Sequence, residues 1–291
     1  MRELQNLAKS LLQKKEVGLI IGYQKGSLDG RVWPTFISKQ NQAEKLIWNP
    51  FCKNNLAVYL TRPEITKAPE KIAITAKGCD VKSIVVLLQE DQLRREDLII
   101  IGLSCKGVVR EGVQDHELSP DSIMPKCKLC DVRTPPAYDY LVGEKIAPAE
   151  GEDELELKIR ELEAKSKEEK WNFWQEELSR CIRCYACRAV CPNCYCQECI
   201  ADKNQPQWIE KSPHPRGNLA WNFIRAWHQV GRCIECGECE RVCPMDIPLM
   251  LLNKKLARET KEFYKYTPGK DAEQPPPLGT YSETDEGSFI V

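Results

Sequence analysis

The chain has 291 residues, of which 16 are cysteine, and its 42 basic residues nearly balance 43 acidic ones, which argues against a nucleic-acid-binding or polybasic membrane-binding surface. No apolar run reaches the roughly 18 residues that cross a bilayer, and the N-terminus lacks the apolar centre of a secretory signal, so we expect a cytoplasmic protein without a direct membrane span. In that reducing compartment, abundant cysteine indicates metal or redox chemistry and not a disulfide framework.

The first half of the chain alternates between predicted strands and helices. Strands are predicted at VGLIIGY, RVWPTFIS, KIAITA and DLIIIGLS, and helices at NLAVYL and at DVKSIVVLLQEDQL, which Asp80 would open as the N-cap. Strands and helices in succession are typical of the crossover units of an α/β layer.

Two cysteines of this half follow directly after predicted strands. Cys79 and Cys105 come just past KIAITA and DLIIIGLS, and the carboxyl edge of such a sheet is where ligands usually bind. We therefore expect these thiols to converge there, joined by Cys127 and Cys130 of KCKLC from the following loop.

The middle of the chain is predicted to connect two domains. Residues 135–150 are rich in Pro, Ala and Gly, which predicts a linker. From Glu152 to Arg180 the chain contains neither Gly nor Pro, and helical spacing places Leu155, Ile159 and Leu162 on one face. This amphipathic helix is either a strut that sets the distance between the domains or a helix packed on its own domain, and the second interpretation is preferred.

Two copies of one cysteine pattern dominate the second half. CIRCYACRAVCP and CIECGECERVCP share the frame C-x-x-C-x-x-C-x-x-x-C-P, which is the ligand pattern of bacterial ferredoxins, where the fourth cysteine of each run serves the other cluster. The predicted ligand sets for two 4Fe-4S clusters are Cys181, Cys184, Cys187 and Cys243, and Cys233, Cys236, Cys239 and Cys191. Zinc is the alternative, but its knuckles use two cysteines each.

The insertion between the copies is longer than a minimal ferredoxin needs. A predicted amphipathic helix within it places Leu219, Phe223, Trp227 and Val230 on its apolar side, with Gly231 as the C-terminal cap. Its tryptophans are expected to be core residues and not electron relays.

The remaining cysteines divide into two further sets of four. Cys79, Cys105, Cys127 and Cys130 would hold a third cluster, and Cys52, Cys194, Cys196 and Cys199 are left for a fourth. The fourth set requires Cys52 to approach the second domain; the alternative is that these are buried or shielding thiols.

Other residues near the motifs are weaker candidates. Arginines flank the ligand runs and would either raise the cluster potentials or form a docking face for a partner: Arg180, Arg183, Arg188, Arg232 and Arg241. The histidines share no spacing and are weak ligand candidates: His116, His214 and His228.

The predicted organisation has four parts. An α/β domain over residues 1–150 precedes a connecting helix over 151–180, a two-cluster ferredoxin-like α+β domain with a helical insertion over 181–255, and an extended tail over 256–291. The tail is rich in Pro and acidic residues, so it is interpreted as a flexible segment or as an arm along a partner subunit.

The segment KIAITAKGCDVKSIVVLLQEDQLRREDLIIIGLSCKGVV, the KCKLC pair and the tandem motifs resemble the beta subunits of deazaflavin-reducing hydrogenases and formate dehydrogenases. Relatives of this kind accompany heterodisulfide-reductase-like modules in anaerobes. The resemblance implies an α/β domain with its own cluster, held by the cysteines of KGCD, SCKGV and CKLC, and a site for a flavin such as FAD. The chain departs from better-known members because the ferredoxin motifs follow that domain, and it has no GxGxxG fingerprint.

The preferred hypothesis is an electron-transfer iron–sulfur subunit of a multi-subunit oxidoreductase, whose partners are flavoprotein, hydrogenase-, formate dehydrogenase- or heterodisulfide-reductase-like subunits. No acid/base pair or nucleophile with its base marks a catalytic site, so no catalytic residue is assigned. Two alternatives remain open: an autonomous flavin enzyme that reduces deazaflavin, NAD or a quinone, and a docking module attached to a ferredoxin domain.

Overall fold

A five-stranded sheet forms the first half of the protein. The computed structural model describes residues 1–66, 70–113, 117–281 and 283. The strands are β1 (Leu19–Lys25), β2 (Val32–Ile37), β3 (Ile72–Ala76), β4 (Leu98–Leu103) and β5 (Tyr140–Val142). Their order in the sheet is β2-β1-β3-β4-β5, with β1 and β2 antiparallel and the other neighbours parallel.

Helices and short turns of helix cover the sheet and continue into the second half. The α-helices are α1 (Arg2–Gln13), α2 (Pro63–Thr66), α3 (Gly78–Gln89), α4 (Pro125–Lys128), α5 (Glu154–Glu163), α6 (Lys167–Ser179), α7 (Ala186–Ala189), α8 (Pro215–His228), α9 (Glu238–Arg241) and α10 (Leu249–Tyr264). Short 3-10 helices lie at Gln40–Lys45, Leu56–Tyr59, Arg95–Asp97 and Pro277–Gly279. None of the helices in the described part of the chain is long and apolar enough to cross a membrane.

The predicted α/β layer is confirmed, and its strands read as apolar runs because parallel strands are buried on both faces. One core joins α1, the central strands and α3, and the side chains of Leu4, Ile20, Ile74, Ile84 and Ile101 are almost fully inaccessible there. This core contains Cys52 but none of the other cysteines.

The start of α3 differs from the prediction. The N-cap is Lys77, and Asp80 lies three residues further on, where its carboxylate accepts a hydrogen bond from the Lys77 backbone N–H at 2.8 Å. Asp80 also accepts from the Leu56 backbone N–H and pairs with the Lys77 ammonium at 2.9 Å. The sequence alone does not distinguish these two positions, because an acidic residue is favoured both at the N-cap and three residues later, in the first turn of the helix.

The predicted linker over 135–150 is also corrected. Tyr140–Val142 within it pairs with β4 in parallel and forms the edge strand β5. A three-residue strand is too short to show the alternation by which strands are recognised.

Residues 151–180 form two helices instead of one. Helix α5 ends at Glu163, and Ser166 begins α6 as its N-cap, with its side chain accepting a hydrogen bond from the Glu169 backbone N–H. Helix α5 packs on α10 and helix α6 packs on α8, so the interpretation of helices packed on their own domain holds. In the described residues after Val142, no strand is present, so the predicted ferredoxin-like α+β arrangement is replaced by helices and loops.

The C-terminal segment differs from the predicted tail over 256–291. Helix α10 continues to Tyr264, and the following residues fold back onto α3. The buried Tyr266 hydroxyl donates to Gln89 Oε1 at 2.8 Å, and Gln89 Nε2 donates to the carbonyls of Asp271 and Gln274. Residues 282 and 284–291 lie outside the described part.

Candidate metal centres

The two cysteine motifs form loops of the same shape. Both have left-handed residues at the same two places: Arg183 and Tyr185 in the first motif, and Glu235 and Gly237 in the second. Each loop then enters a one-turn helix, α7 or α9. The sequence repeat is therefore also a repeat of backbone conformation, which turns successive thiols toward a common point.

One cavity lies at the first motif. The cysteines that line it are Cys181, Cys184, Cys187 and Cys243. The first three come from the first motif and the fourth comes from the second, which is the crossed arrangement that the pattern predicts. Burial, outweighing the nearby Arg225, raises the pKa of Cys187 to about 11.

A second cavity lies at the second motif. Its cysteines are Cys191, Cys233, Cys236 and Cys239, again three from one motif and one from the other. Burial raises the pKa of Cys233 to about 12, so this thiol stays protonated at neutral pH unless a metal displaces the proton. Four soft sulfur donors around one cavity are the donor set that iron–sulfur clusters use, so the residues present fit such a group.

The third predicted set gathers at the carboxyl edge of the sheet. Cys79 lies in the first turn of α3, Cys105 lies two residues after β4, and Cys127 and Cys130 come from α4 and the turn after it. Burial raises the pKa of Cys105 to about 12, and the charges of Lys77, Cys127 and Cys130 also act on it. The four thiols are thus neighbours, and their chemistry fits a cluster in the same way.

The fourth predicted set is not brought together. Cys52 is fully buried in the core of the sheet domain, where its thiol contacts Asn49 Oδ1 and burial raises its pKa to about 12. Cys194 lies instead beside Cys191 in the second domain, and Cys199 packs near Cys181 and Cys187. Among the described contacts, none joins Cys52 to the other three, because the core of the sheet domain holds it in place.

The flanking arginines are mostly engaged within the protein. Arg180, Arg188, Arg232 and Arg241 pair with carboxylates, and Arg183 is buried and donates to the carbonyls of Gly217 and Glu210. These contacts leave less free charge for a docking face than the sequence suggests. His214 caps α8 and is exposed, as is His228, and His116 lies outside the described residues.

Sequence reasoning missed the polar face of α8. Asn218, Asn222, Arg225 and Gln229 are buried, whereas Trp227 is 62% exposed, so the predicted apolar side is not the buried side. Asn218 donates to the Cys181 carbonyl at 2.7 Å and Arg225 donates to the Cys187 carbonyl at 3.0 Å. The signal was present, because these four polar residues recur at helical spacing.

A buried ion pair between the halves was also missed. Lys126 of α4 pairs with Glu238 of α9 at 2.8 Å, and Arg241 pairs with the same carboxylate. Burial opposes the charge on Glu238, but Lys126 and Arg241 outweigh it and lower the pKa of Glu238 to about 2. In the described part of the chain, no three His, Cys, Asp or Glu side chains are placed to hold a single metal ion.

Comparison with known proteins identifies the second half. Residues 180–248 match the 4Fe-4S dicluster domain, so the chain contains such a domain and 4Fe-4S clusters are its cofactors. The match ends just before α10 begins. It covers the loops of both motifs together with α7, α8 and α9.

The whole chain is similar to two archaeal proteins. It is 27% identical to the F420-dependent formate dehydrogenase subunit beta of Methanocaldococcus jannaschii, over 93% of this chain and 92% of that protein. It is 24% identical to the F420-dependent formate dehydrogenase 1 subunit beta of Methanococcus maripaludis, over 94% and 92%. The resemblance to iron–sulfur beta subunits is thereby confirmed.

Each of these alignments contains long gaps. They extend over 359 positions, whereas the whole chain has 291 residues, so at least 68 aligned positions have no residue in this chain.

Proposed function

We propose that this chain is an electron-transfer iron–sulfur subunit of an oxidoreductase complex, with three 4Fe-4S sites in a fixed order. The site of Cys79, Cys105, Cys127 and Cys130 adjoins that of Cys191, Cys233, Cys236 and Cys239, which adjoins that of Cys181, Cys184, Cys187 and Cys243. When bound, such clusters accept and release one electron at a time.

The observation that carries the order is the position of Lys126. It precedes Cys127 of the sheet-edge set in the chain, and its ammonium pairs at 2.8 Å with Glu238, which lines the second cavity. Burial opposes the charge on Lys126, but Glu238 and the thiols of Cys79 and Cys236 outweigh it and raise the pKa of Lys126. Lys126 thus lies between the sheet-edge site and the second cavity.

The two sites of the dicluster domain are also neighbours. The charge of Cys239, from the second cavity, acts on the thiol of Cys187, from the first. The residues of this chain therefore hold the three sets of thiols close together. Short distances between carriers are what a relay between partner subunits requires.

The far end of this order reaches the surface. Cys184 is exposed, and the neighbouring Ile182 has 52% of its surface accessible. We place the contact with a redox partner at this end. The relatives are named as subunits of formate dehydrogenases, so the partner proposed here is another redox subunit of a complex of that kind.

The experiment that tests the proposal counts iron in the purified, anaerobically handled protein. Three clusters require about 12 irons per chain, and Cys79→Ser is expected to lower the count by about four. Cys52→Ser is the matched control, since it changes a buried thiol of the same domain outside the three sets, and it is expected to leave the count unchanged. Zinc without iron, or an unchanged count in Cys79→Ser, would contradict the proposal.

A flavin reaction is the second candidate, and the names of the relatives are what favours it. Both relatives are named as F420-dependent enzymes, and the resemblance to such beta subunits implies a site for a flavin such as FAD, which we propose within residues 1–150. Flavin content, measured on the same purified sample as the iron, separates the two: one flavin per chain supports the enzyme, and iron without flavin supports the relay.

A further inference from the structure

Arg225 lies where the two dicluster sites meet. It belongs to α8, in the insertion between the motifs, and only 5% of its surface is accessible. Its Nη2 donates to the carbonyl of Cys187, a residue of the first cavity, at 3.0 Å. The same side chain lines the second cavity, beside Cys191 and Cys239.

The charge of Arg225 is not balanced by a carboxylate. Its buried Nε has no hydrogen-bond partner in the described structure. Arg188, Arg232 and Arg241 each pair with an acidic side chain, whereas no ion-pair partner of Arg225 occurs among the described residues. An unpaired buried cation is costly, so a group that supplies negative charge is needed beside it.

The groups beside Arg225 are cysteines: Cys191 and Cys239 line the same cavity, and Cys187 accepts its hydrogen bond through the backbone carbonyl. Their sulfurs become negative when they bind a cluster as thiolates. A cluster bound by four thiolates is anionic, and it gains one further negative charge when it is reduced. A fixed cation beside the two cavities therefore favours the reduced form over the oxidised one.

We propose that Arg225 is a positioning residue that holds the Cys187 loop and supplies the positive charge that raises the reduction potentials of both dicluster sites. This inference depends on the proposed function, because it requires clusters at the two cavities. It goes beyond that function by assigning a role to the helical insertion. The helix α8 carries the guanidinium to a place that neither motif can reach with its own residues.

Arg225→Gln tests the charge while it keeps a polar side chain. We expect the midpoint potentials of both clusters to fall. At the potential where a wild-type cluster is half reduced, the ratio of reduced to oxidised cluster in the variant should be roughly tenfold lower. The second cavity should show the larger change, because Arg225 lines it. The measurement is a redox titration followed by electron paramagnetic resonance on the intact protein, together with the iron count.

Two further variants complete the experiment. Arg216→Gln removes an exposed arginine of the same helix and should leave the potentials unchanged. Arg225→Lys retains the charge and should keep potentials near those of the wild type. Full iron with wild-type potentials in Arg225→Gln would overturn the proposal.

If Arg225→Gln loses iron, its potentials cannot be measured, and the Arg225→Lys variant then tests the proposal. Retained iron with near-wild-type potentials in that variant supports the role of the charge, whereas loss of iron there as well overturns it. The iron count of the wild-type protein reports separately on the proposed function: a chain without iron would refute the clusters themselves, independently of any shift in potential.

Discussion

Lys77 and Asp80 form a buried ion pair in the sheet domain, with 2.9 Å between the ammonium and the carboxylate. Both side chains are almost completely inaccessible, and the ammonium also donates to the Asn54 carbonyl at 2.8 Å. Burial raises the pKa of Asp80 and the contacts with Lys77 oppose that rise. Each charge is tolerated in the core only because the other is present.

Asp80→Asn is therefore expected to destabilise the protein by about 3–5 kcal/mol, since it leaves the Lys77 ammonium buried without a counter-ion. The midpoint of urea unfolding, followed by circular dichroism, measures this. Asp97→Asn is the control, because it breaks an exposed pair with Arg94 and should cost about 1 kcal/mol or less. Equal losses of stability in the two variants would show that burial does not determine the free-energy cost of breaking an ion pair.

At the scale of elements, the packing of α5 on α10 depends on ion pairs as well as apolar contact. Glu163 of α5 accepts from Lys255 and Arg258 of α10. The hydrogen bond from Lys255 is the main reason that the pKa of Glu163 lies below its usual value. A lowered carboxylate pKa contributes stability above the unfolded value, and that stability is lost as the pH falls.

Glu163→Gln should accordingly lower the free energy of unfolding at pH 7 by a few tenths to about 1 kcal/mol, because these side chains are only partly buried and water screens their charges. The difference from the wild type should shrink below about pH 4.3, where the carboxylate of the unfolded chain becomes protonated. Urea unfolding at several pH values measures it. Glu161→Gln, on the exposed face of α5, should show no such pH dependence.

The C-terminal segment is held to α3 by Tyr266, whose ring is buried and whose hydroxyl contacts Gln89. Tyr266→Phe should cost about 1 kcal/mol through the lost hydrogen bond, and Tyr266→Ala about 3–5 kcal/mol through the cavity. Thermal unfolding measures both. Tyr281→Ala removes a ring that is 84% exposed and should change stability by about 0.5 kcal/mol or less. A destabilisation by Tyr281→Ala as large as that of Tyr266→Ala would contradict the contact.

These elements also show what the sequence predicts and what it does not. Strands β1, β3 and β4 were predictable because burial on both faces gives continuous apolar runs, and the edge strand β2 because its residues alternate in burial. The cysteine frame predicts the crossed sets because it is a local pattern. The attachment of Tyr266 to Gln89 joins residues 177 apart in the chain, which no local pattern records. The face of α8 was assigned wrongly because the rule that apolar residues are buried fails beside a polar site.

At the scale of the molecule, the two halves are joined through charged and polar contacts. Lys126 of the first half pairs with Glu238 of the second, which Arg241 of the same helix also contacts. Arg232 of the second half pairs with Glu90, directly after α3. The core of the sheet domain is large and continuous, whereas the second half has only small groups of buried apolar residues. The sheet domain can thus fold on its own apolar core, while the second half depends on what fills its two cavities.

Removal of iron should therefore unfold the halves unequally. In a site built from thiols, the free energy of metal binding is also free energy of folding, so a strong chelator under reducing conditions should unfold the region from α6 to α10 first. The sheet domain should keep its structure because Cys52 is the one cysteine in its apolar core, and the structure keeps Cys52 apart from the other predicted ligands. Limited proteolysis should then yield a resistant fragment that ends near residue 150, with loss of helical circular dichroism. Uniform digestion of the iron-free protein, or full resistance of its second half, would contradict this division of stability.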